Sequence, residues 1–334
     1  MALCCTPGRY WGITVQADHG FNLSFWATNS RGTATVSAYL VCDYGSAVVA
    51  AGESITVTSH EWRKYAVILT ANHSCTAATL SLVLSTPAAR AAPTRTTTTT
   101  ATVLHLDGVS LMPTDAIAGI FRVDMFEAIK ALRPTFLRYP GGSFLEGYSF
   151  DTRWQWKRSI GPRAARPGHY NSAWGYWCTD FMGHAEYLLL AELIGAEAQM
   201  SVYDGYSIYN RYHDLNTSWQ FAKDALDAIE YATGDAKSTH FGRQRAANGH
   251  PSPFHLPRME IGNEEGITPD YQPINGYRDH FDLVAGAIRG RYPDVKVIAS
   301  AACTWRASVG GRPKPGAAPY CMNGSAKVEI WDVS

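Results

Sequence analysis

The stretch Arg258-Met259-Glu260-Ile261-Gly262-Asn263-Glu264-Glu265-Gly266 concentrates polar chemistry behind an apolar run. Its front half alternates and is partly apolar, as a buried strand would be, before it breaks into an amide and two carboxylates. Polar clusters at the C-terminal ends of parallel strands are where α/β barrels assemble their sites, because the βα loops converge there. The same residues also fit a helix start, with Asn263 as N-cap and Glu264 and Glu265 in the first turn. Two other segments end in the same chemical character, one in Arg138 and Ser143, the other in Tyr203 and Asp204. Between them lie Trp154, Trp156, Tyr170, Trp174, Tyr176 and Trp177. Carboxylate, amide and guanidinium groups mixed with aromatics suit a sugar, whose C–H faces stack on rings while its hydroxyls need directional partners. Tryptophan clusters are equally good core material, and Arg138 also fits as an ion-pair partner for Glu264 or Glu146.

The elements that must hold these groups alternate from about residue 120 onward. Met125, Phe126, Ile129 and Leu132 share a helical face that Pro134 ends, and Phe136 to Tyr139 is a short strand closed by Pro140-Gly141-Gly142. A helix is expected at 180–194, with Thr179 as N-cap and Gly195 past its end. A strand from Gln199 to Tyr203, a helix at 218–232, the Met259 to Asn263 strand, a helix at 277–291 and a strand from Val295 to Ala299 follow, and Val328 to Val333 begins another strand. This order predicts a parallel sheet with crossover helices, open or closed as a barrel. No GxGxxG and no phosphate loop is present, which disfavours nucleotide binding.

Residues 1–113 have a different period. Phe21, Leu23, Phe25 and Ala27, then Ala34, Val36, Ala38 and Leu40, alternate with polar or aromatic neighbours, and Leu80, Leu82 and Leu84 repeat the pattern. Short alternating strands punctuated by Gly and Asn predict a sandwich or jelly roll. The Thr-rich stretch at 93–101 has almost nothing apolar to bury and is expected to be a disordered loop between the last two strands.

At 334 residues, with zero formal charge and 17% charged residues, nothing favours a nucleic-acid partner or an anionic membrane surface, and no run is long enough to span a bilayer. The first residues do not have the form of a signal peptide. Four N-glycosylation sequons, at Asn22, Asn72, Asn216 and Asn323, nevertheless point to an extracellular or secretory location for a longer parent. Seven scattered cysteines show no metal-ligand spacing, so free or structural thiols are the default and no metal or cofactor is expected.

Arg138-Tyr139-Pro140-Gly141-Gly142-Ser143-Phe144, Trp156-Lys157-Arg158-Ser159-Ile160-Gly161-Pro162, Arg166-Pro167-Gly168-His169, Trp174-Gly175-Tyr176-Trp177, Arg245-Ala246-Ala247 and Ile261-Gly262-Asn263-Glu264 occur in an order that resembles the α-L-arabinofuranosidases of glycoside hydrolase family 51, in their plant-type branch. The resemblance implies a (β/α)8 TIM barrel, here about strands 2–6 over 114–334. It is preceded by a jelly-roll module over 1–113 that resembles a family-4-type carbohydrate-binding module. It implies a retaining mechanism with two carboxyl groups about 5–5.5 Å apart. Glu264 matches the acid/base, expected to be held protonated by partial burial and a nearby carboxylate. Asn263 matches the residue that hydrogen-bonds the sugar 2-hydroxyl, and Arg138, Ser143 and Trp174 match pocket-lining segments. Glu265 receives no role. The family's nucleophile belongs to strand seven and matches no residue here, so the sequence has the look of a fragment, expected to be inactive alone. The implied substrate is an arabinose-containing polysaccharide or oligosaccharide. A non-catalytic carbohydrate-binding protein, or another retaining barrel glycosidase such as a xylosidase or endoglucanase, are the alternatives.

Overall fold

The computed structural model describes residues 2–4, 12–42, 47–85, 103–209, 211–265 and 274–300. The Thr-rich stretch at 93–101 and the strand expected from Val328 lie outside the described residues. The chain divides into two compact units, Met1–Ala128 and Ile129–Ser334, so the division falls later than residue 113 and inside a helix, α1 (Val123–Ala131).

Among its described residues the first unit is all strand before α1: β1 (Ala2–Cys4), β2 (Ile13–Val15), β3 (Gly20–Arg31), β4 (Ala34–Cys42), β5 (Ala47–Ala51), β6 (Ile55–Val57), β7 (Arg63–Ala71), β8 (Cys75–Ser85) and β9 (Val103–Pro113). They pair antiparallel in the order β1-β8-β4-β5-β7-β3-β9, with β2 also on β8 and β6 on β4. The strands expected to form a sandwich or jelly roll are thus linked by one connected path of pairings. Period-2 alternation decides its faces: Phe21, Leu23, Phe25 and Ala27 are buried with Val36, Ala38 and Leu40 in one core, while Asn22 between them is exposed. The sequon asparagines Asn72 and Asn216 are exposed as well.

Cys42 and Cys75, separated by 33 positions with Cα atoms 6.2 Å apart, form a disulfide, where free or structural thiols were the default expectation. It ties the end of β4 to the start of β8. A closed loop of this length stabilises by about 3–4 kcal/mol through the unfolded chain. Cys42→Ala/Cys75→Ala is therefore expected to lower the unfolding free energy of the first unit by that amount, read from denaturant unfolding, and unchanged unfolding curves would show that the bridge does not form.

The second unit alternates. Strand β10 (Phe136–Tyr139) leads to the short helix α2 (Gly142–Glu146) and the hairpin β11 (His169–Asn171) and β12 (Tyr176–Cys178). Then come α3 (His184–Ile194), β13 (Glu197–Val202), a small hairpin β14 (Tyr206–Ser207) and β15 (Arg211–Tyr212), α4 (Trp219–Thr233), α5 (His240–Ala247), β16 (Arg258–Ile261), α6 (Ile274–Arg291) and β17 (Lys296–Ala299). Helix α3 starts at His184 rather than at 180, because Asp180 takes a left-handed φ of 56° that no helix admits. Strands β10, β13, β16 and β17 pair in parallel in sequence order.

Alternation along these strands separates two chemistries. Tyr139, Ala198, Met200, Val202, Met259 and Ile261 pack into one cluster with Phe221, Ala225, Ala228 and Ile229 of α4 and Phe281, Val284 and Ile288 of α6. In α4 the buried residues recur at three- and four-residue intervals, and the alanines among them let the helix lie close on the strands. The intervening strand positions, Arg138, Gln199, Ser201 and Glu260, occupy the other face.

Candidate active site

That second face carries an ordered polar network. The side chain of Arg138, 35% exposed, donates to both oxygens of Glu260, Nε to Oε2 at 2.5 Å and Nη2 to Oε1 at 2.9 Å. Ser201 Oγ and Gln199 Nε2 also donate to Glu260 Oε2, at 2.7 and 3.4 Å. Glu260 holds Arg138 firmly charged, first by this hydrogen bond and then by its charge. With both oxygens engaged by donors, Glu260 positions Arg138. Arg138 therefore pairs with a residue one strand position inside the cluster, not with Glu264 or Glu146.

Arg138 Nη2 reaches further, to Oδ1 of Asn263 at 2.9 Å, and the Gly142 N–H donates to the same oxygen at 2.8 Å. The Asn263 amide is thus oriented with its oxygen spent on two donors. Its Nδ2 faces Glu146 Oε2 at 3.5 Å. Glycines make this convergence possible: Gly141 at φ 58° turns the chain where a Cβ would collide with the Arg138 guanidinium. Gly262 at φ 75° does the same beneath Asn263, where a Cβ would meet Glu265 Oε1.

Residues 262–265 form a bend and turn, and the next described helix is α6, so Asn263 caps no helix among the described residues. Glu264 sits at the crest with φ 51° and is exposed. The burial expected to protonate it falls instead on Glu146, 3% exposed at the end of α2. Burial, with the charges of Asp204 and Glu264 added, pushes the Glu146 carboxyl up to about 8 against the opposing Asn263 hydrogen bond. Its Oε1 is buried without a hydrogen-bond partner.

Glu265, given no role from sequence, is fully buried and braces the site from below. Its Oε1 accepts from the Asn263 N–H at 3.3 Å and its Oε2 from the Tyr212 hydroxyl at 2.7 Å. Burial, with Asp204 close by, raises its carboxyl well above the usual range, and Asp204 is raised by its own burial. Ser143 stands in α2, half-buried, one residue after the Gly142 donor. Trp174 lies apart from this network in the β11–β12 turn, 66% exposed, its N–H donating to Asn171 Oδ1 at 3.1 Å. Glu260 and Glu146 were missed as site residues. The signal for Glu260 was register, since it shares the strand face of Ser201, its direct partner across β13–β16.

Parallel strands whose polar side chains meet at their C-terminal ends, beside an exposed carboxylate, have the layout in which α/β folds place their sites. Residues 128–319 match the family profile described as the alpha-L-arabinofuranosidase 1 domain. The chain is 34% identical over 298 residues to alpha-L-arabinofuranosidase 1 of Arabidopsis thaliana, covering 88% of this chain and 40% of that protein. It is 30% identical over 310 residues to an extracellular exo-alpha-L-arabinofuranosidase of Streptomyces chartreusis, covering 88% of this chain and 34% of that one. A solved structure of an arabinose-bound family 51 α-L-arabinofuranosidase superposes with a TM-score of 0.77 at 26% identity, covering 90% of this chain and 47% of the other. The chain belongs to the α-L-arabinofuranosidase family, glycoside hydrolase family 51. It spans 40% of the length of its Arabidopsis relatives.

Proposed function

We propose that this chain contributes the acid/base side of a retaining α-L-arabinofuranosidase site acting on terminal arabinofuranosyl groups of a polysaccharide or oligosaccharide. The observation that carries it is the Asn263 amide, fixed by Arg138 and Gly142 immediately before an exposed Glu264 at the end of β16. An amide so oriented keeps an N–H for a sugar hydroxyl, and the next residue presents a carboxyl to the glycosidic oxygen. Glu264 would donate its proton to the leaving oxygen, then as carboxylate accept one from water. Ser143 and Trp174 are assigned to the sugar's surroundings. The nucleophile is assigned to none of the described carboxyls, since Glu260 is saturated by donors and burial keeps Glu146 and Glu265 toward the neutral acid.

The four parallel strands are read as consecutive strands of a (β/α)8 barrel, and the curled first unit as a jelly-roll module with a carbohydrate-binding ancestry. The disulfide and three exposed sequon asparagines support an extracellular or secretory location.

The test is Glu264→Gln in the chain completed to its relatives' length. Turnover of arabino-oligosaccharides is expected to fall about 10²–10³-fold. Aryl arabinofuranosides, whose leaving groups need little protonation, should lose far less. Equal losses on both substrates would remove Glu264 from the acid/base role.

A further inference from the structure

The hairpin β11–β12 gathers a second chemical cluster that the network around Asn263 does not use. His169 and Cys178 are direct cross-strand partners, and Asp180 follows two residues later. His169 Nδ1 lies 2.9 Å from Asp180 Oδ2, and Cys178 Sγ donates to Asp180 Oδ1 at 3.7 Å. Each of the three offers an atom within 4.8 Å of those of the others. His169 and Asp180 are 8% and 3% exposed, and His169 Nε2 is buried without a partner.

The surroundings hold this cluster in place. Asp180 has a left-handed backbone, and Arg166 Nη1 donates to its carbonyl at 2.8 Å. Arg166 in turn pairs with both oxygens of Glu186, each at 2.8 Å, and Glu186 Oε2 accepts the Gly183 N–H at 3.0 Å. The Phe144 ring stands edge-on to His169 at 5.1 Å. The Arg166 contacts fix the backbone that carries Asp180, whose carboxylate faces His169 and Cys178. As a purely hydrogen-bonded trio the arrangement is poor, since a thiol is a weak donor and the imidazole uses one nitrogen of two.

We propose that His169, Cys178 and Asp180 bind one divalent cation of the zinc class. Imidazole, thiolate and carboxylate together suit a borderline-soft ion and not magnesium or calcium, which take oxygen ligands. Bonds of about 2.0–2.3 Å at tetrahedral angles place ligand atoms about 3.3–3.8 Å apart, which the sulfur–oxygen pair already satisfies. Three ligands leave a fourth position for water. Only the thiolate ligates, so the ion must displace the Cys178 proton and its affinity weakens as pH falls. Bound there, the ion clamps β11 to β12 and steadies the turn that carries Trp174.

The experiment titrates the full chain, stripped by a chelator, with Co²⁺ and then Zn²⁺. One equivalent of cobalt is expected to produce a thiolate-to-cobalt charge-transfer band in the near ultraviolet, and zinc to abolish it. Cys178→Ser should eliminate the band, while His169→Gln and the near-isosteric Asp180→Asn should each weaken cobalt binding at least about tenfold, with circular dichroism checking that each variant folds. A chain that gives no band, a band that survives Cys178→Ser, or affinities unchanged in both other variants would overturn the site.

Discussion

Arg245→Met is expected to destabilise the second unit by on the order of 5 kcal/mol, the largest loss foreseen from a single change outside the polar cluster. Arg245 is fully buried, and among the described residues no carboxylate stands within ion-pair distance. Its partners are five carbonyls: Nε donates to His250 O at 3.0 Å, Nη1 to Tyr231 O and Ala232 O at 2.7 and 3.1 Å, and Nη2 to Gly234 O and Pro251 O at 2.8 and 3.1 Å. Two of these belong to the last turn of α4 and a third to Gly234, its C-cap, where unpaired carbonyls give the helix its negative pole, so the guanidinium supplies hydrogen bonds and charge compensation together. Methionine fills the volume and takes a donor from all five carbonyls, of which Ala232 O alone is seen to keep another, the Phe254 N–H at 2.8 Å. Lysine should recover less than half of the loss, because an ammonium has three donors and no planar fork. Urea unfolding measures both variants. A loss below about 1 kcal/mol for methionine would show that the carbonyls find other donors.

Glu146→Gln should make the protein more stable at alkaline pH and leave it nearly unchanged in acid. The carboxyl sits at about 8 in the folded chain against an ordinary 4.5. Between these values the folded state holds a proton that the unfolded state has released, so the wild type loses stability as pH rises through that window. Over the whole interval the loss is on the order of 5 kcal/mol. Glutamine cannot ionise, and its amide occupies the same place beside Asn263. Unfolding curves at pH 4.5, 6.5 and 8.5 should therefore diverge steadily, the variant gaining on the wild type. Parallel curves across that range would mean that Glu146 is ionised in the folded protein at little cost.

How much of this was legible before the structure depended on whether the signal was local. Phe136 to Tyr139 forms the strand its composition announces, and β16 follows the alternation of Met259, Glu260 and Ile261. Arg138 and Asn263 were read as site residues and do meet, 125 positions apart in sequence. The partners chosen by register were not legible. Glu260 was read only as the polar member of an alternating run, and only the pairing of β13 with β16 shows that it shares a face with Ser201. The Cys42–Cys75 bridge and the His169, Cys178 and Asp180 cluster escaped for the same reason, since each joins residues whose spacing follows no ligand or disulfide rule. Glu264 was picked out by its motif, but its exposure depends on a left-handed turn that a glutamate does not advertise. Trp174 was placed by resemblance alone, and it stands exposed in the β11–β12 turn.

The parallel strands carry their apolar side chains toward α4 and α6 and their polar ones on the reverse, and this split has a consequence for how the sequence can vary. Substitutions at Met200, Met259 or Ile261 disturb close packing and are answerable to folding alone. Substitutions at Gln199 or Ser201 change the hydrogen bonds offered to Glu260 while the helices stay seated. The two sets touch different neighbours, so their effects should add with little interaction. New specificities can then be sought by randomising one set of alternate positions, with the other left as an untouched foundation.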